Sequence, residues 1–261
     1  MTNIVVLVKQ VPDTYSERKL SDGDHTLDRE SADAVLDEIN EKAVEEALKI
    51  KEAGEGEVTV ISVGPDRATD AIRKALSMGA DKAIHVSDEA LHGSDAIATA
   101  KVLAAAIGKV EGYDLVIAGN EASDGRGGAI PAILAELLGL PQLTHVRVLT
   151  VEGSTIKADR ETEDGITHLE ANLPAVVSVG EKINEPRYPS FKGIMAAKKK
   201  PVETLSVGDL GIDGGEVGLG NAWSSVLEAT PKPPRQAGER VEDEGDGGSK
   251  VAQYLVTQKI I

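Results

Sequence analysis

The run Gly119-Asn-Glu-Ala-Ser-Asp-Gly-Arg-Gly-Gly128 holds the residues best suited to chemistry. Its glycines Gly119, Gly125, Gly127 and Gly128 let a backbone approach a ligand closely. It leads into an apolar stretch whose helix N-terminus would offer unpaired N–H groups to an anion. Arg126 adds a permanent cation suited to phosphate. The run is neither G-x-x-x-x-G-K-[ST] nor the G-x-G-x-x-G fingerprint. Two readings therefore stand: a nucleotide phosphate loop, or a plain flexible strand-to-helix connection.

No catalytic constellation accompanies it. None of His25, His85, His92, His145 and His168 begins an H-E-x-x-H zinc motif. His168-Leu169-Glu170 has H-x-E spacing, but a zinc deaminase also needs P-C-x-x-C, and the chain has no cysteine. The same lack removes disulfides, thiol nucleophiles and iron–sulfur ligation. Serine occurs in no G-x-S-x-G elbow. The net charge of −16 argues against a nucleic-acid phosphate backbone as partner and suits steering towards a basic one. An ordinary acidic surface explains it equally. No segment is apolar for long enough to span a bilayer. The N-terminus lacks a basic n-region and reads as a first strand, so a cytoplasmic protein is expected.

These residues need a scaffold, and the 261-residue chain suits one large α/β domain with an appendage. One Trp, one Phe and four Tyr leave the core to Val, Ile, Leu and Ala, as in a parallel sheet under Ala-rich helices. Strands are expected over Ile4–Lys9, Glu57–Val63, Lys82–Val86, Asp114–Ala118 and Ala175–Val179. Helices fall between them: one N-capped by Asn40, one over Asp66–Met78 closed by Gly79, and one over Asp95–Ile107 with Gly108 at C′. A fourth runs from about Gly128 to Leu138 before Gly139. Alternating stretches between Leu143 and Asn172 suggest a small antiparallel, hairpin-like excursion around Gly153. The expected fold is a doubly wound five-stranded parallel sheet in which strands one and four are neighbours. A ligand then sits at their carboxyl ends. The chain divides at about residue 230. Residues 231–261 are Pro-rich, then acidic and Gly-rich, and end in a short apolar helix or strand that needs a cover.

The segment Arg160–Lys200 runs from a charged turn (Glu163-Asp164-Gly165) to the strand Pro174–Val179. It continues through Asn184-Glu-Pro-Arg-Tyr-Pro189 to Lys198-Lys199-Lys200. This block resembles the β-subunit signature of electron transfer flavoproteins, with Thr167 and Ser178 as departures. The similarity extends from Val5 to about Gly211. It implies an adenine-nucleotide α-hydrolase-like fold and an AMP held by the glycine run. By that resemblance Gly119, Asn120, Glu121, Ala122, Ser123, Asp124, Gly125, Arg126, Gly127, Gly128, Ala129 and Ile130 line the AMP. Leu7, Asp37, Glu38, Ile39, Asn40 and Val63 assist. Ile130-Pro131 replaces the family's usual Thr/Val-Gly, leaving the phosphate to backbone groups or Arg126.

The resemblance also implies a heterodimer with an α-subunit that shares an FAD, and electrons passing from acyl-CoA and related dehydrogenases to a membrane quinone oxidoreductase. Residues 1–230 would bind the adenylate, and residues 231–261 would form an arm on the α-subunit. Arg160 and Glu161 match positions near the α-subunit and its flavin, although by themselves they read as surface charges on a strand. Tyr188, Phe191, Ile194 and Met195 fall in the segment that docks dehydrogenases, with Phe191 as the apolar anchor. The alternative places Phe191, Ile194 and Met195 on the inner face of a helix. The family's flavin-stacking Tyr aligns with Thr14, one place before Tyr15, and is not carried over. Two rival functions remain. One is an electron-bifurcating relative with a second FAD replacing AMP, suggested by Val11-Pro12-Asp13-Thr14. The other is an ATP-hydrolysing enzyme of the same fold, whose S-G-G-x-D-S or H-I-G-H motifs are missing.

Overall fold

The computed structural model describes residues 1–235, 238, 240 and 242–261. Short runs of Val, Ile and Leu make its centre, since β-branched side chains pack well on a pleated, doubly covered surface. They form β1 (Ile4–Leu7), β4 (Val58–Val63), β5 (Lys82–Val86), β6 (Leu115–Gly119) and β10 (Ala175–Val179). The other strands are β2 (Gln10–Pro12), β3 (Ala34–Leu36), β7 (Gln142–Glu152), β8 (Thr155–Thr162), β9 (Gly165–Asn172) and β11 (Val202–Leu205). The helices are α1 (Glu38–Ala53), α2 (Thr69–Met78), α3 (Ala96–Ile107), α4 (Ile130–Leu138), α5 (Phe191–Ala197) and α6 (Gly247–Thr257).

The main sheet has nine strands in the order β11-β5-β4-β1-β6-β10-β7-β8-β9, and β2 and β3 form a separate antiparallel pair. The five expected strands are present, but the expected count of five is too small. β11 adds in parallel to β5, pairing Val202 with Ala83 and Leu205 with Val86. β7 adds in parallel to β10, pairing Leu143 with Val177. The antiparallel residues therefore continue the main sheet rather than leaving it. β7, β8 and β9 form a three-stranded meander with turns at Gly153-Ser154 and Glu163-Asp164. Sequence alternation shows that such strands are half-buried, but not which edge they join.

Alternation along β1 divides the core. Ile4 and Val6 pack with Ala43, Val44, Ala47 and Leu48 of α1 and Ile72 and Leu76 of α2. Val5 and Leu7 face the other side, with Val102 and Ala106 of α3 and Leu134 and Ala135 of α4. Helices thus cover both faces of the parallel part, the doubly wound arrangement expected. β1 lies between β4 and β6, so strands one and four of the expected set are indeed neighbours.

Helix ends differ in detail. Asp37, not Asn40, caps α1, its carboxylate accepting from the N–H groups of Ile39 and Asn40. Asn40 lies inside the first turn, where its side chain takes the Lys9 N–H at 2.8 Å. A 3₁₀ turn (Asp66–Ala68) precedes α2. Gly108 caps α3 in right-handed backbone (φ −61°), so it is not a left-handed C′ residue, whereas Gly139 closes α4 with φ 65°. No helix among the described residues is long and apolar enough to cross a membrane.

Met1–Leu227 form one compact unit and Glu228–Ile261 a second. The second contains α6, which exposes Val251, Tyr254 and Val256, with Ile260 and Ile261 exposed beyond it.

Candidate functional site

At the carboxyl ends of β1 and β6 the sheet opens into a cleft of about 360 Å³. This is where crossover connections diverge to opposite faces, leaving room for a ligand. Leu7, Val63, Ala118, Leu103, Ile130 and Pro131 give it apolar walls. Asn40, Gly119, Asn120, Glu121, Ala122 and the run Asp124–Ala129 complete one side.

The glycine run is shaped for close approach. Cβ atoms built on Gly125 and Gly127 would meet nothing, whereas one on Gly119 would lie 2.5 Å from Asn40 Nδ2. Gly128 has φ 60° and Arg126 φ 49°. The left-handed region costs a non-glycine residue roughly 1 kcal/mol or more. The turn bearing Arg126 is held by its N–H bond to the Ala122 carbonyl at 2.9 Å. Arg126 is exposed and forms no ion pair among the described residues, leaving its guanidinium free. The α4 N-terminus follows directly, with no side-chain cap on its N–H groups and a proline in its first turn. That end can receive an anion.

Asn120 Oδ1 is buried without a hydrogen-bond partner. A buried acceptor left unpaired costs about 1–3 kcal/mol, and this one belongs to a residue lining the cleft. An adenylate fits these features: apolar walls for the base, a donor for Asn120 and N–H groups for the phosphate. Beneath the run, the Asp124 carboxylate is almost wholly buried between Lys9 Nζ (2.8 Å) and Arg29 Nη1 (3.3 Å). Burial pushes its pKa up, but the two cations outweigh burial and hold it below the ordinary carboxylate range. Asp124 thus ties the run to the segment leaving β1 and to the loop after β2 rather than presenting a bare negative charge.

Not every expected residue reaches the cleft. Asp37, Glu38, Ile39 and Ser123 do not line it. Asp37 is buried behind it and accepts the Ser123 N–H at 2.8 Å. Conversely, Lys9, Ser94, Asp95 and Thr99 line the cleft without having been singled out. Lys9 was legible as the residue leaving β1 towards the ligand end. The other three come from the start of α3, which only the folded crossover brings there.

The remaining candidates lie elsewhere. Phe191 is 80% exposed and Tyr188 97% exposed, and Ile194 and Met195 of α5 are each about half exposed. These side chains do not form a buried inner helix face; only Ala197 of α5 is buried. On β8, Arg160 Nε donates to the Thr144 carbonyl at 2.8 Å. Glu161 pairs with Lys182 at 3.1 Å and Arg147 at 3.5 Å. Tyr15 is 97% exposed. Among the described residues no group of three His, Asp or Glu could hold a metal ion.

Comparison with known proteins matches this sequence to a family. The model of the electron transfer flavoprotein domain matches residues 24–210. The electron transfer flavoprotein subunit beta of Mycobacterium tuberculosis is 66% identical over the full length of both chains. That of Megasphaera elsdenii is 36% identical over 99% of each. The caffeyl-CoA reductase-Etf complex subunit CarD of Acetobacterium woodii is 36% identical, covering 98% of this chain and 97% of its own. The chain belongs to the electron transfer flavoprotein family, as one of its β-subunits.

Proposed function

We propose that this β-subunit pairs with an α-subunit and accepts electrons from acyl-CoA and related dehydrogenases, delivering them to a membrane quinone oxidoreductase. In this reading the α-subunit supplies most contacts to a shared FAD, and that flavin supplies the redox chemistry when bound. This chain contributes placement and electrostatics rather than catalytic side chains. Its cleft holds AMP as a structural ligand, with Leu7 and Val63 against the base and Asn40 and Gly119–Ile130 around the nucleotide. Asp37, Glu38, Ile39 and Ser123 act from behind by fixing the start of α1 and the glycine run. Residues 231–261 serve as an arm on the α-subunit, and Arg160 and Glu161 face it. The setting is the cytoplasm.

The observation that best supports the adenylate is the unpaired Asn120 Oδ1 beside an uncapped helix N-terminus. Nucleotide extraction from the co-expressed heterodimer tests it. One FAD and one AMP per heterodimer is the expected result. Two FAD and no AMP would replace this reading with the bifurcating one.

Phe191, Tyr188, Ile194 and Met195 serve as the docking surface for the electron donor. An exposed aromatic anchor in a polar rim is how such surfaces concentrate binding energy. Its test is the dependence of flavin reduction on dehydrogenase when Phe191 is truncated.

A further inference from the structure

Five charged residues of α1, Lys42, Glu45, Glu46, Lys49 and Glu52, recur at the spacing that marks one helix face. Sequence patterning reads such a stripe as solvated, yet Glu45 and Glu46 are buried, at 7% and 3% exposure. Burying a carboxylate is costly unless it is paired. Glu46 pairs with Lys49 of the same helix at 2.9 Å, whereas the partner of Glu45 comes from the segment beyond β10. Arg187 Nε donates to Glu45 Oε2 at 2.8 Å, and its Nη2 reaches Glu45 Oε1 and Glu52 Oε2, each at 3.0 Å. Its Nη1 bonds Glu52, and its backbone N–H donates to Glu45 Oε2 at 3.1 Å. Three residues earlier, the Asn184 amide donates to the Lys42 carbonyl at 3.0 Å and to Glu46 Oε2 at 2.9 Å. Lys42 Nζ returns a bond to the Asn184 carbonyl at 2.7 Å.

The far end of the segment is fixed as well. A Cβ on Gly193 would lie 2.4 Å from the Ser77 carbonyl oxygen, so α5 sits directly on the end of α2. Between these anchors Tyr188 and Phe191 project largely into solvent.

We infer that Arg187, forked between Glu45 and Glu52 of α1, is a positioning residue that holds Tyr188 and Phe191 in the geometry that meets the electron donor. The inference rests on the docking role proposed above for Phe191. Holding the segment in advance removes an ordering cost at the moment of contact. A guanidinium suits the task because its planar fork satisfies two carboxylates together, which an ammonium on a flexible stem does not.

The test uses the complete heterodimer with a reduced acyl-CoA dehydrogenase as donor, comparing Arg187→Lys, Glu52→Gln and Phe191→Ala. Glu52→Gln removes the outer half of the fork without stranding a buried charge, which guards against a variant that does not fold. We expect Arg187→Lys and Glu52→Gln to speed amide exchange over residues 188–194 while leaving β1 and β6 unchanged. They should raise KM for the heterodimer about three- to tenfold. Flavin content, dithionite reduction and kcat should stay the same. Unchanged exchange in both variants overturns the inference. So does faster exchange with an unaltered KM while Phe191→Ala raises it. If Phe191→Ala leaves KM unaltered, the docking role itself is wrong and the inference goes with it; the exchange data then show that the fork still orders the segment.

Discussion

Asp37 and Ser123 stand 86 residues apart, yet the Ser123 N–H donates to Asp37 Oδ2 at 2.8 Å. The other oxygen, Oδ1, accepts from Ile39 N at 3.0 Å and Asn40 N at 3.2 Å. One buried carboxylate therefore starts α1 and anchors the glycine run. Asp37→Ala removes a cap and leaves a run N–H unpaired, at a combined cost of about 1–3 kcal/mol. Chemical denaturation should show that loss, and the purified heterodimer should carry less extractable AMP.

Gly119 ends β6 where a side chain has no room. A Cβ there would press on Asn40 Nδ2 and lie 3.0 Å from Ile39 Cγ2. Gly119→Ala must displace the Asn40 amide, which accepts the Lys9 N–H at 2.8 Å, an overpacking worth about 1–3 kcal/mol. AMP retention should fall more than thermal stability, and equal retention in wild type and variant would count against the cleft as its site.

The pairing of Asp124 with Lys9 and Arg29 gives a defined acid response. Its pKa is depressed in the folded chain, so its stabilisation is present above the unfolded carboxyl value of about 4. It is lost as pH falls from there through the depressed value. The stability gap between wild type and Asp124→Asn should be constant at neutral pH and close progressively below about pH 4. Denaturation curves at several pH values would show this.

Truncating Phe191 tests docking without disturbing the fold. At 80% exposure it supports little packing. Phe191→Ala should change unfolding free energy by no more than about 0.5 kcal/mol. Electron acceptance at low donor concentration should drop by about tenfold or more if the residue is a hot spot. Stopped-flow reduction of the flavin reads that directly.

Residues 251–261 include most of α6, none of whose side chains is buried, so their removal tests the arm. Its exposed Val251, Tyr254 and Val256 call for a cover. Loss of co-purification with the α-subunit is the expected result, and unchanged co-purification would remove the arm from the interface.

Much of this was written in local sequence. The Val- and Ile-rich runs, the closing glycines Gly79 and Gly139, and the spacing of apolar residues on α1 to α4 determine the parallel core, because burial on both faces demands continuous apolar strands. The glycine run and Arg126 were compatible with a phosphate loop or a plain strand-to-helix connection, and the fold places them at the carboxyl ends of β1 and β6, lining the cleft. Tertiary structure decided what depends on pairing between distant residues. Whether β7 to β9 left or extended the sheet turned on the contact between Leu143 and Val177. Asp37 rather than Asn40 caps α1 because the helix begins at Glu38, which puts the Asp37 carboxylate against the Ile39 and Asn40 N–H groups and Asn40 inside the first turn. Nothing local to α1 shows that Glu45 is buried, because the Arg187 that pairs with it lies 142 residues away. Periodicity reports that a face differs from its opposite, and only the packed chain supplies the partner.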